Sequence, residues 1–135
     1  MTVLLLNYAH PLSESQLATV RGVVGEDLVV REIGAQVDRL RPIAEAARAL
    51  ADAAGLGARD WETAPLVLNP PSLAPLALAL IAELHGRCGG FPAVLNVRPV
   101  EASTPTRYEV AEVVNLQVVR EAGRERRLSE GAVDG

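Results

Sequence analysis

The stretch that decides the fold is VLLLNYAHPLSESQ, residues 3–16. Its first five residues are a short apolar run that predicts a buried β-strand, and the Asn-Tyr-Ala-His-Pro sequence then opens into a loop. Ser13 and Gln16 have the spacing of a capping box, so we expect a helix to follow directly. A buried strand that leads through a loop into a helix is typical of α/β proteins.

The rest of the chain continues this alternation. Four further strands are predicted from apolar, β-branched runs at residues 28–33, 65–69, 93–97 and 108–114. Helices are predicted between the first four strands and again at residues 115–125, with a short turn at 60–63. The order β-α-β-α-β-α-β, followed by a strand and a helix, predicts an α/β sandwich whose parallel strands are buried on both faces.

The predicted helices carry end signals. Asp38 is expected to cap the second helix, which has the clearest 3.6-residue apolar periodicity, with Leu40 on its apolar face and Gly55 at its end. Ser72 is expected to cap the third helix, and Gly86 to close it after His85. Residues 1–125 are therefore predicted to form a single domain, and residues 126–135 a flexible tail.

Composition narrows the class of protein. The chain has 135 residues, of which 49% are hydrophobic and 22% charged, enough for one buried core but with no run long enough to cross a membrane. All 13 basic residues are arginine, and the absence of lysine excludes Schiff-base chemistry and the phosphate-binding loop. The net charge of −4 disfavours general binding to duplex DNA. A single cysteine and no signal peptide predict a cytoplasmic protein.

Several kinds of site are excluded by the residues present. Two histidines and one cysteine, far apart in the chain, do not form a structural zinc site. Gly55-Leu-Gly57 follows a predicted helix and not a strand, so it is not a dinucleotide-binding fingerprint. There is no Gly-x-Ser-x-Gly elbow. The sequence therefore predicts no metal and no cofactor.

The candidate site follows from the strand ends, because ligands of open parallel sheets bind beyond the carboxyl ends of the strands. The loops after the first, third and fourth predicted strands hold amides, hydroxyls, one imidazole and two guanidiniums, and two helix N-termini open toward the same edge. This set predicts a surface for a phosphorylated polar ligand. Its predicted ligand-binding residues are Asn7, Tyr8, His10, Ser13, Asn69, Pro70, Pro71, Ser72, Arg98, Ser103, Thr104 and Arg107.

These residues also have structural interpretations. The two asparagines are typical turn residues, and Ser13 and Ser72 are typical helix caps. Tyr8 would either stack against a base or lie half-buried in its loop. No catalytic residue is assigned. If the protein is an enzyme, the candidates are His10, Arg98 and Arg107.

Five short segments occur in a specific order: LNYAHPL at 6–12, LNPPSL at 68–73, ELHGR at 83–87, FP at 91–92 and VVNLQ at 113–117. Together they resemble the Csx fifteen family, which comprises small CRISPR-associated proteins from type III loci, over about residues 1–120. The resemblance implies a Rossmann-like, CARF-like domain that works as a twofold dimer. It also implies a cyclic oligoadenylate second messenger as the ligand, lying across the dimer axis at the strand ends.

Three functions are compatible with this resemblance. The protein would bind cyclic tetra-adenylate and sequester it as a sponge, or linearise it as a metal-independent ring nuclease, or serve as a regulatory or assembly subunit. In the nuclease, a ribose 2′-OH attacks the neighbouring phosphate, Arg98 or Arg107 steadies the developing charge, and His10 acts as acid or base. One histidine, one carboxylate and no lysine in the loops favour binding without efficient turnover. Ligand bound between protomers would stabilise a homodimer or drive a higher oligomer.

Overall fold

The computed structural model describes residues 1–134. Five strands and five helices follow one another along this part of the chain, with two helices between β2 and β3 and none between β4 and β5. In chain order they are β1 (Val3–Asn7), α1 (Glu14–Val24), β2 (Leu28–Glu32), α2 (Ile43–Ala53), α3 (Ala58–Thr63), β3 (Leu66–Asn69), α4 (Ala74–Cys88), β4 (Ala93–Pro99), β5 (Tyr108–Asn115) and α5 (Leu116–Asp134).

The strands form one sheet in the order β2-β1-β3-β4-β5. The pairs β1–β2, β1–β3 and β3–β4 are parallel, whereas β5 runs antiparallel to β4. In the sheet, β2 lies on one side of β1 and β3 lies on the other. The direction in which successive strands are added therefore reverses between β1 and β3. The prediction of an α/β fold with a mainly parallel sheet is confirmed, and the arrangement is compatible with a Rossmann-like sandwich.

Helices cover both faces of the sheet, because alternate residues of β1 enter two separate cores. Leu6 is fully buried in one cluster with Leu50 of α2 and Leu80 of α4. Leu5 is fully buried in the other cluster with Val20 of α1. Successive side chains of a strand point to opposite faces, so these clusters lie on opposite sides of one sheet. The result is a three-layer structure whose two cores hold the loops at the sheet edge in place.

The prediction that Asp38 caps α2 is wrong. The helix begins at Ile43 with Pro42 at its N-cap, and Leu40 is 95% exposed. Asp38 instead accepts a hydrogen bond from the Leu40 N–H in a turn before the helix. The proline explains the difference, since the residue before a proline is driven away from helical backbone angles and Arg41 cannot extend the helix.

The predicted ends of α4 are also wrong. Ser72 does not cap this helix, whose N-cap is Leu73, without a capping side chain. Pro75 has no N–H at the position three residues after Ser72, where a capping hydroxyl would find a donor. At the other end the helix runs through Gly86 and stops at Gly89, which adopts a left-handed conformation with φ of 79°. Glycine adopts that conformation without a steric penalty.

Two further segments differ from their predicted form. Residues 58–63 form the short helix α3 and not a turn, and Trp61 is the buried residue of this helix. The last helix continues beyond the predicted end at Glu125 as far as Asp134. The flexibility of residues 126–135 stays a prediction, and Gly135 lies outside the described residues.

Candidate functional site

The site is organised around two asparagines at the point where the strand order reverses. Asn7 ends β1 and Asn69 ends β3, and the two residues are paired in the parallel register of these strands. Both are buried, with 0% and 6% of their surface exposed. Buried amides of this kind need hydrogen-bond partners, and those partners determine what the site offers to a ligand.

Asn7 uses its entire hydrogen-bonding capacity within the protein. Its Oδ1 accepts from the backbone N–H of Ala9 and from Nδ2 of Asn69, both at 3.0 Å. Its Nδ2 donates to the His10 carbonyl oxygen at 3.0 Å and to Oε2 of Glu32 at 2.9 Å. The amide therefore folds the loop after β1 and joins it to β2 and β3. Asn7 positions the site and has no free donor or acceptor for a ligand.

Asn69 differs because its amide is only partly used. One N–H of Nδ2 is donated to Asn7. Among residues 1–129, no donor reaches its Oδ1, and this oxygen is not fully buried. The residue lines a cavity of about 380 Å³ at the sheet edge, within the size range of small-molecule sites. An unpaired amide oxygen thus belongs to a residue that lines a ligand-sized space.

This central cavity has a mostly apolar wall with few polar groups. Leu12 and Val97 supply apolar surface, and the exposed side chain of Tyr108 stands at one side. His10 and Gln16 supply polar atoms together with Asn69. An apolar wall with a few convergent polar groups is the usual character of a binding site for a small organic molecule. The eight lining residues are Ala9, His10, Pro11, Leu12, Gln16, Asn69, Val97 and Tyr108.

A second cleft, of about 600 Å³, opens on the α4 side of the central cavity. Pro71 and Ser72 of the loop after β3 line it, together with Arg39 from the segment between β2 and α2. His10 and Ala9 line both this cleft and the central cavity, so the two spaces adjoin. Arg39 brings a guanidinium that suits an anionic ligand group.

A third cleft, of about 540 Å³, opens on the β5 side. Ser13 and Arg107 line it, and it shares Gln16 and Tyr108 with the central cavity. Ser13 caps α1 here, and its hydroxyl accepts the Gln16 N–H at 3.1 Å while the Gln16 side chain accepts the Ser13 N–H at 2.8 Å. The predicted capping box is confirmed. The three spaces thus adjoin in series along one edge, with an arginine at each end.

Besides Asn7, four predicted residues line none of these three spaces. Arg98 forms an exposed ion pair with Glu109, with Nε and Oε1 3.1 Å apart. The Ser103 hydroxyl donates to the Val100 carbonyl at 2.7 Å and accepts the Arg107 N–H at 2.9 Å, so it braces the β4–β5 loop. Thr104, joined to Pro105 by a cis peptide bond, and Pro70 are the other two.

Tyr8 does not offer its ring to a ligand. Its side chain is 2% exposed, and its hydroxyl donates to the Leu50 carbonyl oxygen at 3.1 Å. Burial raises the pKa of this phenol to about 12, and the positive charge of Arg87 offsets only part of the rise. Tyr8 lines the second cleft, but its ring is part of the α2–α4 core, which disfavours the base-stacking role considered for it.

Gln16, Arg39, Val97 and Tyr108 are among the residues that line these spaces and that sequence reasoning missed. Tyr108 was missed because the search followed only the carboxyl ends of strands. An antiparallel strand contributes its beginning to that edge, and the pairing of Tyr108 with Pro99 places it there.

Among residues 1–129, whose side chains the structure describes, no three histidine, cysteine or acidic side chains are grouped so that they could hold a metal ion. No helix in the same described range has both the length and the apolar content needed to cross a membrane. Comparisons with protein-family models, curated proteins and solved structures found no match to this chain.

Proposed function

We propose that the protein binds a cyclic oligoadenylate, with cyclic tetra-adenylate as the ligand, and sequesters it. The observation that carries this proposal is the series of three adjoining spaces at the point of strand reversal. The middle space is mostly apolar, and the outer two each present an arginine, Arg39 on one side and Arg107 on the other. A ligand with aromatic bases and a phosphate backbone needs both kinds of surface.

The resemblance to the Csx fifteen family supports the same proposal. Two of the segments that carry it, residues 6–12 and 68–73, form the loops around the central cavity and supply His10, Leu12 and Asn69. The proposal includes a CARF-like function for this sheet and a cytoplasmic location for the protein.

The ligand's symmetry favours a homodimer. A ring of four adenylates has internal twofold symmetry, so it matches two copies of one site related by a twofold axis. Each protomer would then bind half of the ring at its sheet edge. Ligand bound in this way stabilises the dimer by mass action, and a second surface that does not close would lead to higher oligomers.

Sequestration fits the chemistry better than cleavage. His10 is the only histidine that lines the three spaces. Arg98, one of the two arginines proposed to steady the reacting phosphate, lines none of them and is paired with Glu109, a residue of the third cleft. Ring cleavage needs a positioned acid or base and charge stabilisation at one phosphate. There are two alternatives. One is a ring nuclease with His10 and Arg107 as its active groups, and the other is a regulatory or assembly subunit.

The test is single-turnover incubation with radiolabelled cyclic tetra-adenylate, followed by native and denaturing gels. A shifted, intact ring is the expected result. Linear products that His10→Ala abolishes would establish the nuclease instead, and label that is neither shifted nor cut would overturn the proposal.

Two arginines of the β4–β5 hairpin provide a matched control. Arg107→Ala should weaken binding about tenfold, the value of a charge-assisted hydrogen bond to phosphate. Arg98→Ala should have a clearly smaller effect, because Arg98 lines none of the three spaces and influences the third cleft only through its ion pair with Glu109. Equal effects of the two substitutions would place the phosphates elsewhere.

A further inference from the structure

We propose that the central cavity binds an adenine base, that the Asn69 amide recognises its N6 amine, and that the Tyr108 ring stacks on its face. This inference rests on the proposed function, since the cyclic oligoadenylate supplies the base. It assigns the specificity for adenine to two residues of this chain.

The orientation of the Asn69 amide is fixed by a chain of hydrogen bonds. The backbone N–H of Ala9 can only donate, so the Asn7 atom that it reaches is the carbonyl oxygen Oδ1. The same oxygen faces the Asn69 side chain, which must therefore present Nδ2 to it. Consequently the Oδ1 of Asn69 is the atom turned away from Asn7, and it can only accept a hydrogen bond.

That oxygen has no protein donor among residues 1–129 and is not fully buried, although Asn69 as a whole is only 6% exposed. Solvent can therefore reach it from the cavity, and a ligand that displaces this solvent binds best if it supplies a hydrogen-bond donor in its place. Adenine presents an amine donor at N6, whereas guanine presents a carbonyl oxygen at the same place. Asparagine pairs with adenine through this amine in other nucleic-acid complexes. The site is therefore complementary to adenine and repels guanine.

Tyr108 supplies a flat aromatic surface in the same cavity that Asn69 lines. Its side chain is 58% exposed, whereas Tyr8 and Trp61 are almost fully buried. Its backbone is held on both sides, by pairing with Pro99 and by a 3.0 Å hydrogen bond from Nε2 of Gln16 to the Tyr108 carbonyl oxygen. An exposed ring on a fixed backbone is a stacking platform for a base. The half-exposed Val97 and Leu12 extend the apolar wall.

The experiment measures equilibrium binding of the full chain to three ligands: cyclic tetra-adenylate, its analogue with hydrogen in place of each N6 amine, and 5′-AMP. Wild-type protein should bind cyclic tetra-adenylate at least about tenfold more tightly than the analogue. Tyr108→Ala should weaken binding of cyclic tetra-adenylate about tenfold, and Tyr108→Phe should change it less than twofold. Asn69→Ala should bind cyclic tetra-adenylate and the analogue equally.

The outcomes separate this inference from the proposed function. Tight binding of cyclic tetra-adenylate with no loss for the analogue, or no effect of Tyr108→Ala, would overturn the adenine site and leave the proposed function standing. Binding of 5′-AMP as tight as that of the ring, with the amine still required, would support the adenine site and overturn the cyclic ligand. No binding of any of the three would overturn both. If Asn69→Ala does not fold, the wild-type comparison of ligands decides alone.

Discussion

Nδ2 of Asn69 donates a 3.0 Å hydrogen bond to Oδ1 of Asn7, joining two side chains that lie 62 residues apart in the chain. The bond joins the end of β3 to the end of β1. It also fixes the orientation of the Asn69 amide, so that Oδ1 is the atom left for a ligand. Asn7 is thus a structural residue, and Asn69 is the one available for recognition. The first prediction follows from this division.

Asn7→Ala should lower the free energy of unfolding by about 3 kcal/mol, because it leaves several buried donors and acceptors without partners. Urea unfolding followed by the fluorescence of the single, buried Trp61 measures the change. Asn96→Ala is the control, since Asn96 is exposed and bonds only to Glu112. It should cost less than about 0.5 kcal/mol. Equal costs for the two variants would contradict the network.

Ser13→Ala should lower the free energy of unfolding by about 1 kcal/mol through loss of the capping box at α1. Ser15→Ala, two residues later in the same helix, is the matched control and should be close to neutral. Because the Gln16 N–H loses its acceptor, Ser13→Ala is also expected to raise hydrogen exchange at the start of α1. An unchanged stability would show that the cap contributes nothing.

The two glycines near the end of α4 should respond with opposite signs to alanine. Gly86 lies inside the helix with nothing within 4 Å of an added Cβ, so Gly86→Ala should stabilise the protein by about 0.5–1 kcal/mol. Gly89 has a left-handed φ of 79°, so Gly89→Ala should destabilise it by about 1 kcal/mol. Thermal and urea unfolding of both variants measure the pair. A destabilised Gly86→Ala would place the helix end at Gly86.

Tyr8 should make the protein lose stability in strongly alkaline solution. The pKa of its phenol is raised from 10.0 to about 12 by burial, so between these values the unfolded chain ionises while the folded chain stays neutral. The stability present below pH 10 is therefore lost as the pH rises toward 12, by about 3 kcal/mol. Unfolding measured from pH 8 to 12 should show this decline in the wild type.

Tyr8→Phe is the control for the alkaline decline. It removes the ionising group and the bond to the Leu50 carbonyl, so it should lower stability by about 1 kcal/mol at pH 7 and flatten the loss above pH 10. In the wild type, absorbance at the tyrosinate band should show one late titration near pH 12 that is absent from the variant. A decline of the same size in both proteins would assign it to another group.

Local signals in the sequence were enough for the fold class. Apolar runs at 3–7 and 65–69 predicted strands within one residue of β1 and β3, and the capping box placed the start of α1 at Glu14. These features depend on near neighbours in the chain, whose spacing is visible in the sequence. Where two start signals compete, the prediction was wrong. Asp38 and Pro42 both precede α2, and the helix begins after Pro42.

The sequence by itself determined the alternation of strands and helices, and with it the sheet edge that carries Asn69 and His10. Only the tertiary structure decided what each residue does there. Tyr8 is buried in the core. Tyr108 lies at the sheet edge because β5 runs antiparallel to β4. The hydrogen bond to Asn7 sets the orientation of the Asn69 amide. The physical reason is that burial and hydrogen bonding between distant residues depend on strand order and register, which no local pattern specifies.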